Sequence, residues 1–327
     1  MQNIRAFLNK LKAFDLVVVV FYLFLNIINL VFHEKVEHWQ LFVILNTAII
    51  VFALLLAYLE ERHNTRLVRI IHYWYIAPLI FITFKELYFL IKPIRVHDYD
   101  HLLIAADRWI FGGDPTHFLH GIANPVLTEI LQVIYSIFYL LPVILGLALL
   151  RKRKFLATDY AVFSVIYGFY LSYLGYFTLP GIGPRFTLHN FDTMNTDLPG
   201  LWLTNYLRDF INTGESIPPG TLNPAEAVQR DIFPSGHTMI TLIVMYLSVK
   251  LKSRSRFFLL PVGALLIFST VYLWYHYFID LIGGLLFMMF SLWSGKKIFN
   301  AWQRFTGKEE FNYRLTPDEP RHKTHEA

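Results

Sequence analysis

Phe233-Pro234-Ser235-Gly236-His237-Thr238 stands in the last third of the chain, and about forty residues later comes His276-Tyr277-Phe278-Ile279-Asp280. Both histidines lie at the edges of long apolar runs, where a titrating group is costly and is a functional candidate for that reason. The i,i+4 spacing of His276 and Asp280 puts both on one helix face, so the carboxylate can accept from Nδ1–H and fix the imidazole tautomer. His237 follows a Ser-Gly turn at a helix start. Backbone N–H groups there suit an anion, and the imidazole can supply a proton. Two histidines, one carboxylate and an anion cradle fit phosphoryl transfer through a phosphohistidine. The plainer alternative for His276 and Asp280 is a polar lock between packed helices.

Apolar helices must position these groups. Of 327 residues, 55% are hydrophobic, 17% aromatic and only 16% charged. The apolar residues come in runs near twenty long, enough to cross a bilayer. About eight spans are expected, over 14–32, 41–59, 68–91, 126–150, 159–180, 237–251, 257–275 and 277–295. Arg5, Lys10 and Lys12 precede the first, which is too long for a cleavable signal and reads as a retained span. The division is two N-terminal spans over 1–67, a catalytic membrane domain over 68–300 and a polar cytoplasmic tail over 301–327, with the polar character plain after about 306. The net charge of +5 does not point to nucleic acid, because the basic residues sit in short clusters between apolar runs and in the tail. The absence of cysteine excludes disulfides, thiolate catalysis and Cys-based zinc sites.

Basic clusters set the orientation. Arg62, Arg66 and Arg69, Arg151-Lys152-Arg153-Lys154, and Lys250 through Arg256 fall on one side of an eight-span chain, with the N-terminal basic residues and the tail. The positive-inside rule makes that side cytoplasmic. The long connections 92–125 and 181–235 and the His motifs then face away from the cytoplasm, in a multi-pass protein of the cell (inner) membrane. Within 92–125, the apolar residues around Asp107 and Arg108 read as an interfacial helix.

Gly175 through Arg185, Pro234 through His237, and Ser269 through Asp280 resemble the three signature regions of the type 2 phosphatidic acid phosphatase superfamily. The third region, continued to Gly283-Gly284, looks most like the branch containing inositol phosphorylceramide synthases. The resemblance covers roughly 80–290 and implies an all-α membrane bundle, its catalytic core about six helices from the third span onward. It further implies that His276 is the nucleophile, that Asp280 orients it and stabilises its imidazolium, and that His237 protonates the leaving alkoxide. Arg185, Ser235 and the Gly236 N–H would hold the non-bridging oxygens. No metal or other cofactor is implied, since these groups stand in for a cation.

Two departures matter. The usual first motif has a Lys several residues before an Arg-Pro, whereas this chain has Pro184-Arg185 and no such Lys; the usual Arg after the third motif's Ser is Thr270 here. Lys85 or Arg230 could supply the missing charge, although Glu86 beside Lys85 could neutralise it. Arg185 could instead be a snorkelling interfacial residue. His97, His101 and His189 lie in outer connections without a convincing metal-ligand set. The expected activity is hydrolysis of a membrane lipid phosphoester, with transfer to another lipid's hydroxyl as the alternative. A transporter that binds an anionic lipid without chemistry is the non-enzymatic rival.

Overall fold

The first long helix opens on a cap, in which the Lys12 backbone N–H donates to Asp15 Oδ2 at 2.8 Å. A computed structural model gives the fold and describes residues 8–63 and 65–313; Arg5 and the tail beyond Tyr313 lie outside the described residues. Helix α1 (Ala13–Val31) buries Phe14, Val18, Tyr22, Leu25 and Asn29 at helical spacing and leaves Val20, Leu23, Ile27 and Val31 exposed. One face packs and the other suits lipid. Helix α2 (Trp39–His63) lies against α1. Together they form a hairpin held on the third apolar stretch by a buried polar contact. Asn29 and Asn46 each donate to Glu86 Oε1, at 2.9 and 2.8 Å. Glu86 therefore does not neutralise Lys85, since successive residues on a helix point to different faces.

Helices α3 (Arg66–Trp74) and α4 (Ile76–Ile94) form that third stretch. It breaks at Tyr75, where Pro78 has no N–H to return to the Trp74 carbonyl. Then follow α5 (Asp100–Phe111), α6 (Pro115–His120), α7 (Pro125–Ser136), α8 (Leu140–Arg151) and α9 (Phe155–Tyr176). The α7–α8 pair is bent by 56°, and Pro142 leaves the Phe138 carbonyl without its helical donor. Short helices α10 (Pro184–Thr187), α11 (Met194–Asp197), α12 (Thr204–Gly214) and α13 (Pro224–Ala227) occupy the second long connection. The chain closes with α14 (Gly236–Lys250), α15 (Arg256–Tyr272) and α16 (Phe278–Phe305).

Among the described residues there is no strand, and five stretches are long and apolar enough to cross a membrane: Ala13–Val31, Trp39–His63, Arg66–Ile94, Phe155–Tyr176 and Phe278–Phe305. The bent α7–α8 pair makes a sixth if taken as one span. The expected count of about eight is reached only by adding α14 and α15, which have 15 and 17 residues. At 1.5 Å per residue each is shorter than a bilayer core of about 30 Å. Protein rather than lipid surrounds α14, whose Met239, Ile240, Ile243, Val244 and Leu247 are all inaccessible. The chain is an all-helical, multi-pass membrane protein.

One end of the bundle gathers basic residues from the two ends of the described segment. Lys12 Nζ reaches Glu60 of α2 at 3.3 Å and Asp159 of α9 at 3.6 Å. Trp302 Nε1 and Lys308 Nζ donate to the Leu11 carbonyl at 3.1 and 3.2 Å. Packing continues past residue 306, where a free polar tail was expected. Phe311 stacks on Tyr160 at 3.9 Å and exchanges hydrogen bonds with Asn300 at 2.9 and 3.0 Å. An aromatic residue in a polar stretch found a hydrophobic slot that composition alone could not reveal.

Candidate active site

At the opposite end, Asp280 is the third residue of α16, and its Oδ2 accepts the Tyr277 N–H at 2.8 Å, capping the helix. The same oxygen accepts from His276 Nδ1–H at 3.3 Å. Capping thus holds the carboxylate where it can accept from Nδ1–H and orient the ring, which the Ile232 backbone also contacts through a hydrogen bond. A tight turn presents His276: the N–H groups of Tyr275 and His276 both donate to the Thr270 carbonyl at 3.0 Å.

Ser235 caps α14 through Oγ, which accepts the Thr238 N–H at 3.2 Å. The Ser235 N–H donates to the Asp280 carbonyl at 3.0 Å, joining the two His-bearing segments. Gly284 makes this approach possible. A Cβ there would stand 2.8 Å from the Ser235 carbonyl oxygen. The His237 ring faces His276 with centroids 5.8 Å apart and lies between Tyr135, 4.5 Å away, and Phe138, 4.3 Å away. Tyr135 stands at the end of α7 and Phe138 in the α7–α8 bend itself, so the bend shapes the wall around His237.

Arg185 reaches the same place through a turn at Gly183, whose φ of +92° suits glycine. Its backbone N–H donates to the Trp274 carbonyl at 3.2 Å, and the residue is 3% exposed. Nη1 donates to Asn212 Oδ1 at 2.9 Å, and Nη2 pairs with Glu215. A tight cavity of about 10 Å³ is lined by Arg185, Glu215, Asp231, His237, Tyr275 and His276. It adjoins a cavity of about 670 Å³ with largely aromatic and aliphatic walls; His237, Glu215, Asp231 and Tyr135 line both.

The sequence-predicted residues are thus placed unequally. Arg185, His237 and His276 converge on the tight cavity, with Asp280 fully buried behind His276 and Ser235 fully buried beneath the start of α14. Gly236 and Lys85 line the larger cavity, and Lys85 Nζ donates to Ser216 Oγ at 3.1 Å. Arg230 does not line either one. Its guanidinium is turned to Asp98 at 3.2 Å and to the carbonyls of Glu226 and Val228 at 2.9 and 2.6 Å. Thr270, in place of the usual Arg, spends its hydroxyl on the Ile267 carbonyl at 2.7 Å.

Sequence reasoning missed the carboxylates. Glu215 and Asp231 enter the cavity from a loop that offers no periodicity to read. Asp100 accepts the N–H groups of Ile182 and Gly183 at 3.0 and 2.8 Å and the Tyr277 hydroxyl at 2.8 Å, tying the Arg185 turn to the His276 turn. Asp107 accepts the Phe278 and Ile279 N–H groups at 2.8 and 2.7 Å, so it does more than orient an interfacial helix. Burial, and then His237 opposite it, hold the His276 imidazole well below its ordinary range, in the neutral form a nucleophile needs. Burial, and then Glu215, push the Asp231 carboxyl well above its usual range. His189 stacks on Trp274 at 3.7 Å, and its Nε2 lies 2.8 Å from Thr116 Oγ1. Among the described residues, no three His, Asp or Glu side chains are gathered as metal ligands.

Membrane-length apolar helices together with a facing His237–His276 pair beside an arginine and an apolar cavity have the build of a membrane phosphatase-type protein. The family model of the PAP2 superfamily matches residues 101–294, more than half of the chain, and the chain belongs to that superfamily, whose members are phosphatases or phosphotransferases. The inositol phosphorylceramide synthase-like branch is not singled out by this match. No curated protein and no solved structure matches the chain.

Proposed function

We propose that the protein hydrolyses a phosphoester of a membrane lipid through a phosphohistidine on His276. The observation that carries this reading is the convergence of His276, His237 and Arg185 on one tight cavity that opens into a large apolar one. In the first step Nε2 of His276 attacks phosphorus, the bond to the lipid oxygen breaks, and His237 gives its proton to the departing alkoxide. Water then attacks the phosphohistidine, returns a proton to His237, and releases phosphate as the N–P bond breaks. Arg185 and the Gly236 N–H stabilise charge on the non-bridging oxygens, while Ser235, which lines neither cavity, caps the helix start that presents His237. The apolar cavity supports a lipid tail beside the reacting group. Because it runs directly to His237, it also supports a second outcome of the same intermediate, attack by another lipid's hydroxyl.

Phosphate release from a panel of lipid phosphoesters in detergent, with and without alcohol acceptors, tests the reading. A labelled phosphoenzyme should form in the wild type and be lost in His276→Ala. An anion-binding transporter would release no phosphate.

The site's side of the membrane is proposed as extracytoplasmic, because the basic clusters lie at the other ends of the helices that carry the motifs: Lys250 ends α14, and His237 begins it. In this cysteine-free chain, Thr196→Cys and Arg254→Cys should label oppositely with an impermeant thiol reagent on intact cells, position 196 reacting and position 254 not. The inverse pattern would turn the protein over.

A further inference from the structure

The tight cavity holds one guanidinium, and that guanidinium is already engaged. Asn212 at the end of α12 accepts from Arg185 Nη1, and Glu215 just beyond it pairs with Nη2. Helix α12 is anchored firmly at its other end. Glu129 accepts the N–H groups of Leu201, Leu203 and Thr204 at 2.9, 2.7 and 3.2 Å, and Arg208 donates to the Leu198 carbonyl at 2.7 Å. Its C-terminal end and the following residues, from Phe210 to Glu215, form part of the wall of the large apolar cavity. Lys85 lines that cavity too, its ammonium on the hydroxyl of Ser216, next to Glu215.

A carboxylate and a phosphate use the same planar, two-pronged face of a guanidinium. They cannot share it, because two anions in a small, poorly hydrated space repel strongly. We propose that Glu215 gates the phosphate site: its carboxylate holds the face of Arg185 that a phosphoester must take, and the incoming substrate displaces it toward Lys85. The displacement has a cost that a small soluble anion must meet from its charge alone. A lipid phosphoester brings in addition the burial of its tail in the apolar cavity. Glu215 therefore selects tail-bearing phosphoesters over inorganic phosphate and short soluble ones, and it limits occupation of the site by released phosphate. Lys85 acts as a positioning residue that receives the displaced carboxylate, rather than as a phosphate ligand.

This inference rests on the proposed phosphoryl transfer, and the two can fail separately. Competitive inhibition by inorganic phosphate is measured on the full-length protein in detergent, with a lipid phosphoester as substrate. Glu215→Gln removes the competing charge and should tighten phosphate inhibition roughly tenfold or more, equivalent to at least about 1.4 kcal/mol. KM for the lipid substrate should change less, because its tail contacts remain. Lys85→Met should raise KM for the lipid in the presence of Glu215 and lose most of that effect in the Glu215→Gln background. Glu215→Asp, one methylene shorter, should shift phosphate inhibition in the same direction by less, and it serves if the Gln variant folds poorly. Unchanged or weaker phosphate inhibition in both Glu215 variants would overturn the gate, leaving Glu215 as a brace that orients Arg185. Turnover retained in His276→Ala would instead sink the phosphohistidine reading itself.

Discussion

Two buried histidines at opposite ends of the bundle each meet a carboxylate, and only one has the means to react. At the basic end, His72 is fully buried with both ring nitrogens engaged, Nε2 with Asp15 at 2.8 Å and Nδ1 with Glu60, while the Tyr75 hydroxyl also donates to Asp15 at 2.7 Å. At the other end, His276 has one carboxylate, on Nδ1, and a hydrogen bond with the Ile232 backbone, and it faces His237 across a cavity. The first arrangement fastens α1, the end of α2 and α3 together. The second holds one nitrogen with a carboxylate and sets the ring at the edge of a cavity. A buried His–carboxylate pair is therefore a structural lock when carboxylates hold both nitrogens and a candidate nucleophile when only one is so held and the ring borders a cavity.

The largest effect that could break this contrast comes from truncating each imidazole. His276→Ala should lower kcat by at least about a thousandfold while the protein stays folded, because no neighbouring group can replace the nucleophile. His72→Ala should keep turnover per folded molecule near that of the wild type and cost about 1–3 kcal/mol of stability, since Asp15 and Glu60 each lose a hydrogen-bond partner while keeping Tyr75 and Lys12. Activity assays paired with thermal unfolding in detergent separate the two. Should His72→Ala abolish turnover in folded protein, the division between lock and reactive centre fails.

A smaller effect sharpens the reactive end. Arg185→Lys should lower kcat by roughly tenfold to a hundredfold, about 1.4–3 kcal/mol, because an ammonium cannot make the paired contact to two phosphate oxygens. Wild-type rates in this variant would make Arg185 an interfacial anchor.

The smallest effect is in the pH profile. The imidazole of His276 is held low, so its neutral, nucleophilic form persists as the pH falls through the ordinary histidine range. The acid limb of kcat/KM from this group should therefore lie below about 6.5. A limb at or above that value would place another group in control.

Much of the bundle was legible because membrane helices write themselves as long apolar runs. Seven of the expected spans coincide with helices or helix pairs to within a few residues at most of their ends, while α16 extends to Phe305, past the expected 295. The count was harder to read, since α14 is apolar enough to look like a span and short enough to need a protein jacket. His237 was legible because an N-cap is a local property, whereas His276 and Asp280 meet across the N-cap of α16, with His276 in the preceding turn and not on the expected shared helix face. Arg230 is a candidate for its charge just before the Pro-Ser-Gly-His motif and Lys85 for its charge near the outer end of the third span, and neither fact fixes where a long side chain points.

The sequence by itself determined the helical membrane character, the two-histidine motif and the pairing of His276 with Asp280, since each follows from periodicity or from contacts within one turn of chain. Only the tertiary structure decided which cation meets the histidines, and that Glu215 and Asp231 stand beside it. It also decided that Asp100 and Asp107 brace the turns and that the Pro142 bend sets Phe138 against His237. Those contacts join residues far apart in the chain. Whether two such groups meet depends on how helices pack and where loops cross, which local propensity does not encode.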